Sequence, residues 1–178
     1  MTVIWMGCNI AHFETRYEAG SVLKSFVRAA GPENFGRILV AVDGCQDAQH
    51  ICAAHDVPGG HSQRWIKCAL EEARRRLCRN DVDPARVGRF FDQRYWKHEG
   101  IWDARKKCYA SYVAPVGSLT SLIHGQMIIL RPGERVRVLS SAKWDTDDVR
   151  VIAADGRCEV KSVWKNSAED YGQLALDH

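Results

Sequence analysis

The chain opens with two apolar runs that an amphipathic stretch separates. Residues 2–8 are rich in β-forming types, and residues 38–42 are an unbroken aliphatic run. Between them, Thr15 and Glu18 form a capping-box pattern in front of apolar positions at helical spacing. Asp47 stands where it can cap another helix. This strand–helix–strand–helix order predicts two parallel strands whose C-terminal ends meet at one edge of a sheet.

The rest of the chain changes from helical to strand-like periodicity. Helices are predicted after Ser62, after the Asp83-Pro84 pair, and along residues 101–115, where apolar residues recur at helical spacing. Beyond Gly125, alternation of apolar and polar residues between turn sequences predicts short strands. We expect these strands at residues 127–130, 135–139, 149–153 and 158–164, with a final short helix at 167–174.

Together these elements predict a mixed α/β fold. Its N-terminal part is a Rossmann-like parallel βαβα unit with further helices, and its C-terminal part is an antiparallel β meander or small barrel. We expect an α/β domain at residues 1–115 and a β appendage at 125–165, or one continuous domain over 1–178. A length of 178 residues and an apolar fraction of 46% suffice for a hydrophobic core.

Composition limits the cellular compartments in which the protein is expected. No apolar run reaches the roughly 20 residues that span a bilayer, and the N-terminus lacks the basic region of a secretory signal. The seven cysteines are odd in number and irregular in spacing, which favours reduced thiols over a disulfide framework. We therefore expect a cytoplasmic protein without a membrane partner. Its six tryptophans are core residues or interface anchors, so a homo-oligomer is an open alternative.

Charge is unevenly distributed along the chain. The overall net charge is +3, but residues 64–107 carry +6 and residues 140–178 carry −3. A basic middle segment is compatible with an anionic ligand, and equally with solvated helix faces. The residues expected to bind phosphate or nucleic acid are Arg64, Arg74, Arg75 and Arg76.

Polar side chains follow both predicted parallel strands. Open α/β sheets bind ligands outside the C-terminal ends of their strands, so these residues are expected at one site. They are Cys8, Asn9 and His12 after the first strand, and Asp43, Cys45 and Asp47 after the second. The candidate catalytic residues are His12, Asp43, Cys45 and Asp47.

The stretch Asp43-Gly-Cys-Gln-Asp47 resembles the Asp-Gly-Ser-Thr-Asp segment of GT-A glycosyltransferases of the large inverting family. Other pieces are similar in order over residues 2–94: Cys8-Asn9, Gly59-Gly60-His61 before Arg64, and Phe90-Phe-Asp-Gln-Arg94. The resemblance implies that Asp43 contacts a nucleotide, and that Asp92 holds Mg²⁺ or Mn²⁺ against a diphosphate. The alternative for these carboxylates is helix capping.

A second resemblance lies near the C-terminal end of the sequence. Asp148, followed by Glu159 and Lys161, resembles the signature of PD-(D/E)xK nucleases. It implies that the two carboxylates bind Mg²⁺ while the lysine activates water. Alternation places Glu159 and Lys161 on one strand face. The alternative is a solvated Glu-x-Lys charge pair on an exposed strand face, since such charges are ordinary features of sheets.

Thiols and aromatic residues leave further alternatives open. Cys45, His50, Cys52 and His55 lie within 11 residues and contain zinc-ligand types, while Cys8 or Cys45 with His12 or His61 would make a nucleophilic thiolate. Buried, inert cysteines are the competing interpretation.

The functional hypothesis is a small metal-dependent enzyme that acts on a phosphorylated or nucleotide-containing substrate, with Mg²⁺ or Mn²⁺ as cofactor. One alternative is a PD-(D/E)xK-like nuclease. Another is a non-enzymatic nucleic-acid or protein-binding module, in which Trp144 and Trp164 belong to a small barrel in the tail. Whether the protein is an enzyme stays open at this point.

Overall fold

A computed structural model describes residues 2–6, 9–13, 15–31, 33–79, 83–168 and 171–177. The helices in this part of the chain are α1 (Arg16–Ala30), α2 (Ala48–His55), α3 (His61–Arg79), α4 (Pro84–Val87) and α5 (Thr146–Asp155). The strands are β1 (Thr2–Trp5), β2 (Arg37–Asp43), β3 (Trp96–Asp103), β4 (Cys108–Pro115), β5 (Leu119–Ile123), β6 (Gln126–Leu130), β7 (Val136–Ala142), β8 (Glu159–Lys165) and β9 (Tyr171–Asp177). The predicted mixed α/β class is confirmed. None of the described helices is long and apolar enough to cross a bilayer.

The two strands predicted to be parallel belong to a four-stranded sheet of order β1-β2-β9-β8. β1 and β2 pair in parallel, with Ile4 in register with Leu39, which confirms the predicted pairing. β9 runs antiparallel between β2 and β8, so that Leu174 is in register with Val40 on one side and Val163 on the other. Other described strands form a three-stranded sheet of order β3-β4-β7 and a β5-β6 pair.

The chain packs into two compact units. Unit 1 comprises Met1–Ile51, Trp102–Tyr109 and Ser140–His178, and unit 2 comprises Cys52–Ile101 and Ala110–Leu139. These units describe how the chain packs in space. The division into domains at residues 1–115 and 125–165 stays a prediction.

The core of unit 1 is built from the four-stranded sheet and helices α1 and α5. Leu23 of α1, Val40 of β2 and Ile152 of α5 are fully buried within it. Helix α1 begins at the predicted capping box, because the Thr15 hydroxyl accepts from the Glu18 N–H and the Glu18 carboxylate accepts from the Thr15 N–H. Both signals, the cap and the apolar stripe, were readable from sequence.

Helices α1 and α5 touch at two glycines. A Cβ atom added to Gly20 would lie 2.7 Å from the Cβ of Asp155, and one added to Gly156 would lie 2.7 Å from the Cβ of Leu23. Real Cβ atoms essentially never approach so closely. The close approach of the two helices therefore depends on glycine at both positions.

Unit 2 has a separate core. Ile66 of α3, Val87 of α4 and Val113 of β4 are buried in it together with aromatic rings. Trp96 is 3% exposed, and its indole N–H donates to the Phe90 carbonyl at 2.7 Å. This bond satisfies a polar group that burial would otherwise leave unpaired.

The predicted helix along residues 101–115 is wrong, because this segment forms the end of β3, a turn and β4. Tyr109, Ser111 and Val113 are buried at alternate positions of β4, which is the period of a strand. Tyr109, Tyr112 and Val113 also fit helical spacing, so the apolar pattern alone did not distinguish the two structures. Pairing of β4 with β3 and β7 decides for the strand.

Two predictions in the tail are also wrong. Residues 149–153, expected as a strand, lie in α5, which starts at a capping box between Asp145 and Asp148. The described part of the expected helix at 167–174 enters β9, where Leu174 and Leu176 are fully buried between two partner strands. Pairing with distant strands overrides local propensity here.

Candidate functional site

The loop after β2 carries the polar residues that the sequence places at the sheet edge. Asp43 ends β2, and its Oδ1 atom accepts from the Cys45 N–H at 3.1 Å. Asp47 caps α2, since its Oδ1 accepts from the N–H groups of Gln49 at 2.7 Å and His50 at 2.9 Å. The His50 N–H is the main reason that the pKa of Asp47 lies below its usual value. Asp47 is therefore an exposed, ionised carboxylate at this edge.

Lys143 holds this loop in place. Its side chain is 7% exposed, and its ammonium group donates to Oδ2 of Asp43. Its carbonyl accepts from the side-chain amide of Gln46 at 2.5 Å, and its N–H donates to the Lys107 carbonyl at 2.7 Å. The charge of the Asp43 carboxylate is consequently neutralised by a buried lysine, and both of its oxygens accept hydrogen bonds.

His12 is held by the same segment of the chain. It ends the short helical turn Asn9–His12 that follows β1, and its Nδ1 lies 2.9 Å from the Ser140 carbonyl. Because a carbonyl only accepts, Nδ1 carries the hydrogen, so Nε2 of the neutral ring is the proton-accepting nitrogen. Residues 140–143 thus fasten side chains from the ends of both parallel strands. Cys8 and the side chain of Asn9 lie outside the described residues.

A cluster of charges surrounds the first turn of α5. Asp148 is buried and accepts from Arg16 at 2.9 Å and from Lys107 at 2.8 Å. Lys107 also donates to Asp145 at 2.6 Å, and its hydrogen bonds to Asp145 and Asp148 raise its pKa. Burial alone would raise the pKa of Asp145, but the bond from Lys107 and the α5 N–H groups lower it. This cluster anchors α5 with its charges satisfied.

The nuclease-type residues do not form a metal cluster. Asp148 lies in α5, not on a strand beside Glu159. Glu159 is exposed on β8 and pairs with Lys161 at 2.5 Å, which is the solvated pair expected as the alternative. Among the described residues, no three His, Cys, Asp or Glu side chains group as metal ligands, and this includes Cys45, His50, Cys52 and His55.

Asp92, the predicted metal ligand, is occupied by its neighbour Arg94. The guanidinium group contacts the carboxylate at 2.6 Å, and the Arg94 N–H donates to it at 3.0 Å. These bonds lower the pKa of Asp92 to about 2. Asp92 therefore caps the short turn Gln93–Tyr95.

The predicted basic surface of α3 is largely neutralised within the helix. Arg74 pairs with Glu71, and both Arg75 and Arg76 pair with Glu72, at spacings of three or four residues. Such exposed helical pairs contribute little to stability, but they lower the net positive charge of the surface. Arg64 instead donates to Nδ1 of His61, at 3.2 Å.

Unit 2 contains a groove of about 370 Å³ that the sequence did not reveal. It is lined by His55 at the end of α2, His61, Ser62, Trp65 and Ile66 of α3, Ser111 of β4 and Leu139 of β7. The missed signal is the spacing of His61 and Trp65, four residues apart on one face at the start of α3. A smaller cleft of about 40 Å³ lies beside Val42 and Gly44, at the end of β2 in unit 1.

Comparison with known proteins gives one family over the whole sequence. Residues 1–178 match the sequence profile of the family described as histidine-specific, S-adenosylmethionine (SAM)-dependent methyltransferases. The chain is 30% identical to the N-methyltransferase imqF of Aspergillus flavus over 97% of its own length and 44% of that protein. It is 28% identical to the N-methyltransferase fsqC of Aspergillus fumigatus, over 97% of its own length and 42% of that protein. The chain thus spans less than half the length of these relatives.

These matches contradict the functional predictions from sequence. The resemblances to GT-A glycosyltransferases and to PD-(D/E)xK nucleases are wrong, and the metal-dependent enzyme and nucleic-acid-binding hypotheses fall with them. The cofactor of the matched family is SAM, which replaces the predicted Mg²⁺ or Mn²⁺. The short motifs have local explanations: Asp47 caps a helix, and Glu159 with Lys161 is a surface ion pair.

Proposed function

The chain belongs to the family of histidine-specific, SAM-dependent methyltransferases, and we propose that it takes part in methyl transfer from SAM to a nitrogen atom of a small molecule. The observation that carries this proposal is the family match along residues 1–178. The relatives named above are N-methyltransferases, which supports nitrogen as the acceptor atom. SAM and a small-molecule acceptor are then the partners.

The strand edge of unit 1 suits one side of SAM. The hydroxyl, amino and carboxylate groups of SAM require hydrogen-bonding partners, and the edge offers the exposed Asp47 and His12. The cleft beside Val42 and Gly44 holds only about 40 Å³, well below the roughly 300 Å³ at which small-molecule pockets begin. We therefore assign only part of the cofactor to this edge.

Three of the predicted catalytic residues at the edge receive distinct proposed roles. Asp47 accepts hydrogen bonds from the ribose hydroxyls, because a carboxylate has lone pairs beyond those that cap α2. Asp43, already paired with Lys143, shapes the loop that carries Cys45 and Asp47. His12 contributes Nε2, the ring nitrogen that its bond to Ser140 leaves available, as a polar contact for the cofactor.

The proposed reaction transfers a methyl group from a sulfur atom to a nitrogen atom. When bound, SAM supplies an activated methyl group on a positively charged sulfur. The acceptor nitrogen would give its lone pair to the new N–C bond while the S–CH₃ bond breaks and the sulfur becomes a neutral thioether, and an N–H acceptor would then lose one proton. A general base is needed only for that last proton, and it must lie within hydrogen-bond reach of the acceptor nitrogen.

Replacing Asp47 with asparagine tests the proposed cofactor contact. Asparagine retains the α2 cap but removes the charge, so the helix persists while a charge-assisted hydrogen bond is lost. We expect SAM to bind roughly tenfold more weakly by titration calorimetry, because a carboxylate forms stronger hydrogen bonds with hydroxyl groups than a neutral amide does. Asp147→Asn, at an exposed carboxylate in α5, is the matched control. Equal affinities of both variants and the unmodified chain would remove Asp47 from the cofactor site.

A cytoplasmic location and a homo-oligomeric state are further proposals that come from the sequence. The described cysteines carry no disulfide bond, which supports a reducing compartment. Fractionation of cells and light scattering of the purified chain measure the two properties directly.

A further inference from the structure

The groove of unit 2 has the size and lining of a small-molecule site. Its volume of about 370 Å³ falls within the roughly 300–1,000 Å³ of ligand pockets. From its lining and charge we propose that it binds the methyl acceptor as a neutral aromatic amine. This inference rests on the proposed N-methyltransferase function and names the class of its acceptor.

An exposed tryptophan provides the aromatic contact. Trp65 is 61% exposed on α3, whereas the adjacent Ile66 is 1% exposed and belongs to the core of unit 2. Ile66 and Leu139 are the other apolar residues of the groove's described lining. An aromatic ring that stacks on Trp65 buries apolar surface of both partners and gains the offset-stacking interaction. A flat, ring-bearing ligand fits this wall better than an aliphatic one.

The charge of the groove selects the neutral form of an amine. None of the described residues that line it is an aspartate, glutamate, lysine or arginine; its polar groups are the Ser62 and Ser111 side chains and two histidines. The titratable groups among its described lining residues are His55 and His61, and Arg64 donates a hydrogen bond to His61. An ammonium ion would enter this apolar site without a carboxylate partner, at a large desolvation cost. The neutral amine is also the form whose lone pair can accept a methyl group.

The same lining disfavours a free amino acid. Free histidine brings an ammonium and a carboxylate, and each would need an oppositely charged or hydrogen-bonded partner on burial. The described lining supplies no fixed charge for either. The groove therefore predicts an arylalkylamine in preference to free histidine as acceptor.

Binding of 2-phenylethylamine to the unmodified chain, measured by titration calorimetry without SAM, tests the inference. We expect binding of 2-phenylethylamine and weaker or no binding of histidine. Because only the neutral amine binds, affinity rises by about tenfold for each pH unit between pH 7 and 9, below the pKa of the amine. Affinity that does not change with pH, or histidine binding as tightly as 2-phenylethylamine, overturns the inference.

Two variants locate the binding. Trp65→Ala is expected to weaken binding of 2-phenylethylamine about tenfold, and Trp65→Phe to retain most of it, because phenylalanine preserves an aromatic wall. Trp164→Ala is the matched control, since Trp164 is similarly exposed, at 53%, on β8 of unit 1. Equal affinity of Trp65→Ala and Trp164→Ala overturns the inference. If Trp65→Ala loses binding of 2-phenylethylamine but keeps methyl transfer, the groove is not the acceptor site, and the proposed function stands. If binding depends on Trp65 but the unmodified chain transfers no methyl group, the proposed function is refuted.

Discussion

Lys143 shows how one buried side chain determines the shape of the candidate site. Its ammonium group neutralises Asp43 at the end of β2, while its main chain bonds to Gln46 and Lys107. A buried ion pair is weak evidence for net stability, but removal of one partner leaves the other charge without compensation. The cost of such a removal is therefore a direct measure of how Lys143 supports the loop.

We predict that Lys143→Met lowers the free energy of unfolding by about 2–4 kcal/mol, because it leaves the half-buried Asp43 carboxylate unpaired. Urea unfolding measures the effect. The double variant with Asp43→Asn recovers much of the loss, since asparagine keeps an oxygen for the Cys45 N–H without the charge. A double variant no more stable than Lys143→Met would show that the ion pair is not the cause.

His98 makes the stability of unit 2 dependent on pH. Its side chain is 2% exposed on β3, its Nδ1 lies 3.7 Å from Asp56, and its Nε2 has no hydrogen-bond partner among the described residues. Burial lowers its pKa, while the Asp56 carboxylate opposes this effect. The folded protein thus favours the neutral ring. Its contribution is complete above the unfolded pKa of about 6.5 and is lost as the pH falls towards the lower folded pKa.

We expect His98→Phe to reduce the loss of stability between pH 7 and pH 5, because phenylalanine fills the site and cannot bind a proton. A single histidine changes the free energy of unfolding by at most about 1.4 kcal/mol per pH unit. Thermal unfolding at several pH values gives this slope. His50→Gln, at a side chain that is 81% exposed, should leave the slope unchanged. A slope unaffected by His98→Phe would contradict burial as the cause.

At the scale of elements, the helices of unit 1 show which structural signals were local. The capping box and apolar stripe of α1 were predicted because all their residues lie within one short stretch. The capping box of α5 is equally local, but its β-branched residues Val149, Val151 and Ile152 favoured a strand. The identity of β4 and β9 as strands depends on partners far along the chain, which periodicity does not reveal.

The close contact between α1 and α5 can be tested by its effect on stability. Gly20→Ala places a methyl group 2.7 Å from the Cβ of Asp155. Overpacking costs about 1–3 kcal/mol, and the better helix propensity of alanine returns up to about 1 kcal/mol. We expect a net loss of about 1–2 kcal/mol in urea unfolding. Gly117→Ala, where an added Cβ meets nothing within 4 Å, is the control and should cost less than Gly20→Ala.

At the scale of the whole molecule, the sequence predicted the edge of the sheet but not what surrounds it. The parallel pair β1-β2 and the loop carrying Asp43 and Asp47 were expected from the strand–helix order. Lys143 lies 100 positions from Asp43, and Ser140 lies 128 positions from His12. Contacts between residues so far apart in sequence form only in the tertiary fold, so no local sequence pattern predicts them.

The glycosyltransferase and nuclease predictions were wrong because they rested on short local patterns. Asp-Gly-Cys-Gln-Asp and Glu-x-Lys are short patterns that helix capping and surface ion pairing also produce. The family emerged only from similarity over the full sequence. The groove lined by Trp65 needed the end of α2, the start of α3, β4 and β7 together, so the apolar pattern of any one element did not indicate it.

The most direct test of the proposed methyltransferase function uses SAM with an isotopically labelled methyl group. The purified chain is incubated with labelled SAM and 2-phenylethylamine, and the products are identified by mass spectrometry. The account predicts that the label appears on the nitrogen of the amine and that SAM alone binds the chain in calorimetry. Absence of both SAM binding and label transfer, with the chain shown to be folded by circular dichroism, would contradict it.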